Sequence, residues 1–152
     1  MQHCQEIRLD IDPNCSPDIV ADMANIPEGI GPFDAAYACH SLEHLYPHDV
    51  EACLTGVHRE LRQGGAVIIR VPDLEGLSPS GDVLYMAGNL PVCAADLFYG
   101  WRPFLKERPY MAHRTGFLQE TLRTALESAG FKDVKVDRVQ QTFELVACGV
   151  KH

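Results

Sequence analysis

Glu60-Leu61-Arg62-Gln63-Gly64-Gly65-Ala66-Val67-Ile68-Ile69-Arg70-Val71-Pro72-Asp73 is the stretch on which the fold turns. Its second half is a continuous, β-branched apolar run ended by Pro-Asp, which predicts a buried strand over 66–71. Its first half closes the preceding segment. After Pro47, suited to a first helical turn, Val50, Leu54, Val57 and Leu61 recur at helical spacing, while His48, Asp49, Glu51, Arg59 and Glu60 fill the other faces. Gly64-Gly65 is read as the end of that helix. A helix leading through a glycine turn into a buried strand is one unit of an α/β sheet.

Upstream, Phe33-Asp34-Ala35-Ala36-Tyr37-Ala38-Cys39 is mostly small or apolar and reads as a central strand covered on both faces. Two shorter strands are expected over 6–11, halted by Asp12-Pro13-Asn14, and over 18–22. Downstream, Leu118, Leu122, Ala125, Leu126 and Ala129 form an apolar stripe capped by Gly130. The alternation over 131–137 and 141–148 then suggests two closing antiparallel strands. Residues 74–114 mix Gly, Pro and aromatics without sustained period, as in a substrate-side insertion or lid; a short helix is expected there around 94–99.

The 152 residues, 46% hydrophobic and 22% charged, fit a single domain over 1–152. A net charge of -8 without a clustered Lys/Arg face argues against nucleic acid as a partner. No apolar run is long enough for a membrane span. Six scattered cysteines (Cys4, Cys15, Cys39, Cys53, Cys93, Cys148) without a CxxC pair read as buried free thiols in a reducing compartment, and the N-terminus lacks signal-peptide character. A cytoplasmic protein is the expectation.

Asp10, Asp12 and Asp22 stand where short strands end. Ligands of parallel sheets gather at such carboxyl ends, and an acid there can accept from ribose hydroxyls or an exocyclic amine; Asp-x-Asp-Pro is also ordinary turn chemistry. The order of segments resembles the small class I S-adenosylmethionine-dependent methyltransferases. The matching pieces are Leu9-Asp10-Ile11-Asp12-Pro13, Asp18-Ile19-Val20-Ala21-Asp22, Phe33-Asp34-Ala35-Ala36-Tyr37, Ser41-Leu42-Glu43-His44-Leu45 and Glu60-Leu61-Arg62-Gln63-Gly64-Gly65. Val71-Pro72-Asp73-Leu74, Tyr99-Gly100-Trp101 and the run from Met111 to Phe117 look like a bacterial subgroup of that family.

The resemblance implies a Rossmann-like α/β sheet, mostly parallel with a C-terminal antiparallel hairpin, and S-adenosylmethionine as cofactor. It places Asp10 at the ribose, Asp22 with Met23 at adenine, and Cys39 with His40 beside the sulfonium; Ile11 and Asp12 are counted with them as cofactor-binding. His44 is the best-placed candidate base for an acceptor that carries a proton; His113 and Tyr110, in the variable stretch, are weaker candidates of the same type. The acceptor is a small molecule or another group that the sequence does not name.

The family's first strand and glycine-rich loop have no counterpart, since Met1 falls just before the expected second strand. The missing strand would lie between those ending at Asp10 and Cys39. Such a gap is to be repaired by direct pairing of its neighbours, by a second copy in a homo-oligomer, or by sequence of a longer protein. A methyltransferase remnant acting as a binding module is the alternative, with Phe98, Trp101, Phe104 and Tyr110 as a partner face. His40-Ser41-Leu42-Glu43-His44 also satisfies the HxxEH pattern of zinc hydrolases if it is helical, with Glu43 activating water; no metal is assigned on the main reading.

Overall fold

The computed structural model describes residues 5–152; Cys4 lies outside them. In chain order the elements are β1 (Leu9–Asp10), β2 (Ile19–Val20), β3 (Phe33–Cys39), α1 (Pro47–Glu60), β4 (Leu61–Pro72), β5 (Val83–Ala87), β6 (Leu90–Cys93), α2 (Ala94–Tyr99), α3 (Arg102–Leu105), α4 (Gln119–Ser128), β7 (Lys132–Val139) and β8 (Glu144–Val150). Strands β3, β4, β8 and β7 form the main sheet in that order. β3 and β4 are parallel, and β8 runs antiparallel to both its neighbours. β1 and β2 make a separate parallel pair, with Leu9 opposite Ile19 and Asp10 opposite Val20.

The sheet is clad by helices on one side. Val50, Cys53 and Leu54 of α1 and Leu122 and Leu126 of α4 meet Val67, Ile69 and Val71 of β4, Leu145 and Ala147 of β8, and Val134 and Val136 of β7. Each fully buried Leu or Ile in such a core contributes about 1.5–3 kcal/mol relative to its exposed state. Gly130 takes φ +101 after α4, a conformation costly for any side chain, and lets Phe131 turn back into this core.

The opposite face carries the alternate residues Tyr37, Ile68, Cys148 and Lys135, which stand side by side across the four strands. Tyr37 is 63% and Ile68 40% exposed, and Cys148 is exposed too. The expectation of a central β3 covered on both faces is therefore corrected. Among the described residues β3 is an edge strand, and only its Ala36 and Ala38 side packs on the core. Nor do β1 and β2 repair the gap by pairing with β3.

Three further expectations change. The helix ends at Glu60, where Leu61 N–H donates to the Val57 carbonyl, and Leu61 is already the first residue of β4. Gly64-Gly65 bends that strand instead: Gly64 N–H donates to Lys151 O at 2.8 Å, and Lys151 N–H returns to Gly65 O at 2.9 Å. Residues 74–114 are not structureless, since β5 and β6 form an antiparallel hairpin closed through Gly88-Asn89, a two-residue turn of the kind hairpins favour. Buried thiols were expected throughout, yet Cys15, Cys39 and Cys148 are exposed, Cys93 is half-buried, and Cys53 alone among the described cysteines is buried. No helix among the described residues is long and apolar enough to cross a membrane.

Candidate cofactor and acceptor site

Register brings the acids together. Because Asp10 pairs with Val20, Asp22 lies two residues past Asp10's partner at the same end of the β1–β2 pair. Each acid uses one oxygen to hold its own turn: Asp10 Oδ1 accepts from Asp12 N–H (2.8 Å), and Asp22 Oδ1 from Ala24 N–H (2.9 Å). The second oxygen of each has no donor among the described residues. Asp12 accepts from Asn14 N–H and Nδ2 and, on Oδ2, from Tyr110 Oη at 2.9 Å. The Asn14 backbone, with help from Tyr110, holds its carboxyl below the usual range. Ile11 is exposed beside it, and Met23 packs half-buried against the core.

Tyr110 belongs to a segment that ties this strand end to the end of β3. His113 N–H donates to Tyr99 O, and Arg114 and Thr115 N–H both donate to Glu43 O (2.8 and 3.2 Å). The Arg114 guanidinium lies 4.7 Å over the Tyr46 ring, and Thr115 Oγ1 donates to Leu45 O. The 113–115 run is thereby laid along 43–46, which brings the His44 and His113 rings to 5.1 Å, edge to face. His44 Nδ1–H donates to Ala112 O (3.3 Å) and His113 Nδ1–H to Leu97 O (2.8 Å). Burial pushes the His113 imidazole below its ordinary range.

His40 follows exposed Cys39 in the left-handed region, φ +50, which lifts its ring off the end of β3. Its Nε2 meets Glu144 Oε1 at 2.7 Å, and its Nδ1 stands 3.3 Å from Glu43 Oε1. Glu43 foremost, then Glu144, raise the His40 imidazole to about 9 against the effect of burial. Glu144 also accepts from Arg70 Nη2 (2.6 Å) and Thr142 Oγ1. Burial pushes the Glu144 carboxyl up, but these donors outweigh it and hold it below the usual range.

A cavity of roughly 290 Å³ opens beneath the β5–β6 hairpin. Its walls are mainly apolar (Tyr85, Ala87, Leu90, Val92, Leu97, Trp101), with His40, His113 and Asp96 as the ionisable groups. Asp96 is buried; it accepts from Cys93 N–H at the start of α2 and pairs with Arg102 at 3.3 Å. A larger surface groove of roughly 460 Å³, between residues 24–26 and α1, gathers no comparable chemistry. The helix that a zinc-hydrolase reading of 40–44 requires is not formed: His40 sits beyond a strand end and 42–44 form a single 3-10 turn, so His40 and His44 do not share a helical face. Sequence reasoning missed Glu144, Arg70, Tyr85 and Leu97. Glu144 meets His40 across 104 residues of chain, a pairing that no local pattern announces.

The strand order among the described residues, a separate β1–β2 pair beside a β3-β4-β8-β7 sheet, is that of a Rossmann-like methyltransferase fold. Residues 3–69 match the family described as methyltransferase domain. Solved structures agree on the fold. The 1,6-didemethyltoxoflavin-N1-methyltransferase of Burkholderia thailandensis, with 1,6-didemethyltoxoflavin and S-adenosylhomocysteine bound, has TM-score 0.59 and 20% identity, over 94% of this chain and 59% of that one. An S-adenosylmethionine-dependent methyltransferase of Thermotoga maritima gives 0.56 and 20%, over 87% and 62%. Human N-acetylserotonin methyltransferase, in complex with S-adenosylmethionine, gives 0.54 and 12%, over 86% and 32%. The chain thus spans 32% to 62% of these proteins' lengths. Among curated proteins no sequence matches it.

Proposed function

We propose that the chain carries the adenosyl and acceptor halves of an S-adenosylmethionine-dependent methyltransferase acting on a small, largely apolar acceptor. One observation supports this above the others: the 110–113 segment joins Asp12 at the tip of the β1–β2 pair to His113 in the wall of the apolar cavity. Cofactor end and acceptor end then belong to one continuous site.

The residues present fit part of the cofactor. The free oxygens of Asp10 and Asp22 suit ribose hydroxyls and an adenine amine, and exposed Ile11 offers an apolar surface. For the methionine part no glycine-rich backbone cradle exists among the described residues; Gly29 and Gly31 instead donate to Glu60 at 3.2 and 3.0 Å. When bound, the cofactor supplies an electrophilic methyl on a sulfonium. Cys39 and His40 would border that end, while Tyr85, Leu97 and Trp101 hold the acceptor and exclude water, so that orientation does most of the catalytic work. His113 Nδ1–H is committed to Leu97 O, which leaves Nε2 to take a proton from an acceptor hydroxyl or amine, with His44 packed behind it. A cavity near 290 Å³ lies at the small end of ligand sites, about 300–1,000 Å³, which favours a metabolite over a macromolecular acceptor.

The incomplete cradle and the open sheet face favour a second reading, in which the chain binds a partner without transferring methyl groups. Calorimetric titration with S-adenosylhomocysteine separates the two. Methyl transfer requires saturable binding that Asp22→Ala weakens by about 2- to 10-fold, the worth of one hydrogen bond. A folded chain that takes up no S-adenosylhomocysteine at millimolar concentration favours the binding-module reading.

A further inference from the structure

Glu43 is the most deeply buried acid of the chain at 1% exposure, and neither of its carboxylate oxygens has a hydrogen-bond partner. A carboxylate in so dry a place needs compensating charge: the His40 ring at 3.3 Å from Oε1 supplies part of it, and Oε2 has no hydrogen-bond partner among the described residues. Three potential ligand atoms, one each from Glu43, His44 and His113, lie within 4.8 Å of one another. Both rings spend Nδ1–H on backbone carbonyls, Ala112 O and Leu97 O. A carbonyl can only accept, so each ring must donate from Nδ1, and the Nε2 of each is left with a lone pair. Carbonyl-anchored imidazoles of this kind are how proteins orient histidine toward a metal. The nearest protein cation, His40, is engaged at 2.7 Å with Glu144 and meets Glu43 at 3.3 Å without hydrogen-bond geometry.

We infer that Glu43, His44 and His113 form a binding site for one divalent transition-metal ion, Zn²⁺ being the best suited. Two imidazoles and one carboxylate are the donor set of zinc and its first-row neighbours, whereas Mg²⁺ and Ca²⁺ favour oxygen ligands throughout. The Zn–N and Zn–O bonds of about 2.0–2.2 Å require the three side chains to draw together slightly from their present positions. Three protein ligands leave a coordination position open, and His113 lines the acceptor cavity. A heteroatom of a bound molecule can therefore reach the metal. The site differs from a helical HxxEH arrangement, since Glu43 is here a ligand and His113 comes from 69 residues further along the chain. It does not depend on methyl transfer; in the metal-loaded chain His113 is a ligand, and only the metal-free chain leaves its Nε2 as a base.

The test is equilibrium dialysis of the untagged, chelator-stripped chain against ZnCl2, with Co²⁺ absorption as the reporter of donor type. The inference requires one equivalent of Zn²⁺ and a tetrahedral Co²⁺ spectrum without thiolate charge-transfer bands. His113→Ala and Glu43→Gln should each weaken binding by at least about 100-fold, beyond the roughly 10- to 100-fold that supporting partners alone control. His113 is half-buried, so its alanine variant keeps the fold, and circular dichroism verifies this. Folded wild-type chain that binds no stoichiometric zinc overturns the inference. So does zinc that persists in folded His113→Ala, or a Co²⁺ thiolate band. Titration with S-adenosylhomocysteine in chelator is unaffected by any of these results, so failure of the metal site and failure of the cofactor reading remain distinguishable.

Discussion

Glu144→Gln tests whether the polar cluster at the mouth of the cavity holds the structure or merely decorates it. The carboxylate receives His40 Nε2 at 2.7 Å, Arg70 Nη2 at 2.6 Å and Thr142 Oγ1, and is itself 5% exposed. Gln preserves shape and one acceptor oxygen but turns an amide donor toward a second donor, so at least one charge-assisted bond is lost. Such a bond nets about 1.5–3 kcal/mol when both groups are sheltered. The side chains of His40 and Arg70 are 43% and 37% exposed, however, and water takes up part of what Glu144 releases. About 1–2 kcal/mol remains, or a Tm lower by about 2–8 °C for a chain of this size. Urea unfolding followed by circular dichroism reads it directly. In a double-mutant cycle with His40→Ala, a coupling of at least about 0.5 kcal/mol is required for groups in contact. Asp34→Ala, which breaks the ion pair between exposed Asp34 and Arg62, is the control and should leave stability unchanged. A Glu144→Gln chain as stable as its parent would refute the reasoning.

Acid titration should expose Glu60, whose carboxyl the Arg59 guanidinium and the Gly31 and Gly29 amides hold down to about 2, from an ordinary 4.5. A depressed folded value gives stability that is complete above the unfolded value and is lost as pH falls from 4.5 toward 2; wild type should lose more stability than Glu60→Gln between pH 7 and 3, and parallel losses would discount the contacts of Glu60 with Arg59, Gly29 and Gly31. Thiol labelling of the native chain should reach Cys15, Cys39 and Cys148 at once and Cys93 more slowly, while Cys53, whose thiol burial pushes up to about 12, reacts only on unfolding; early modification of Cys53 in peptide maps would contradict the core packing. Gly100→Ala should destabilise by at least about 1–3 kcal/mol, because φ +86 with ψ 165 is almost closed to other residues. Its new Cβ would also stand 2.5 Å from Met111 O, which displaces the strand of chain that carries His113; a Tm unchanged by this substitution counts against that contact.

How much of this was legible in advance follows the range of the interactions. Helices over 47–60, 94–99 and 119–128 and the strand through Val67, Ile69 and Val71 show in the sequence because periodicity and Pro or Gly punctuation are local. The β5–β6 hairpin is masked by Pro91 and by strands of five and four residues, although Gly88-Asn89 is a turn signal. In the site, Asp10, Asp12 and Asp22 could be placed at strand ends from turn chemistry alone. The burial of Glu43 and the meeting of His44 with His113 depend on 113–115 being laid along 43–46, which is a tertiary event. The same limit explains the misreading of β3: small apolar residues say that a strand can be covered, and only its neighbours decide whether it is.

Those neighbours raise the question of what lies against Tyr37 and Ile68. Among the described residues β3 offers a free edge without Lys or Pro and with one register shift, near Phe33, and beside it Tyr37, Ile68 and Cys148 form an exposed strip of sheet flanked by Arg70 and Lys135. Natural edge strands are usually blunted by charge, proline or cover. A second copy would meet both needs at once, because two β3 edges related by a two-fold axis can pair with each other while their open faces come together. If so, Tyr37→Lys places like charges across the axis, and sedimentation at micromolar concentration should shift from dimer to monomer with no loss of the α1 and α4 core. A wild-type chain that sediments as a monomer, at concentrations where it also binds S-adenosylhomocysteine, would mean that the exposed sheet tolerates water unaided and that no second copy shapes the site.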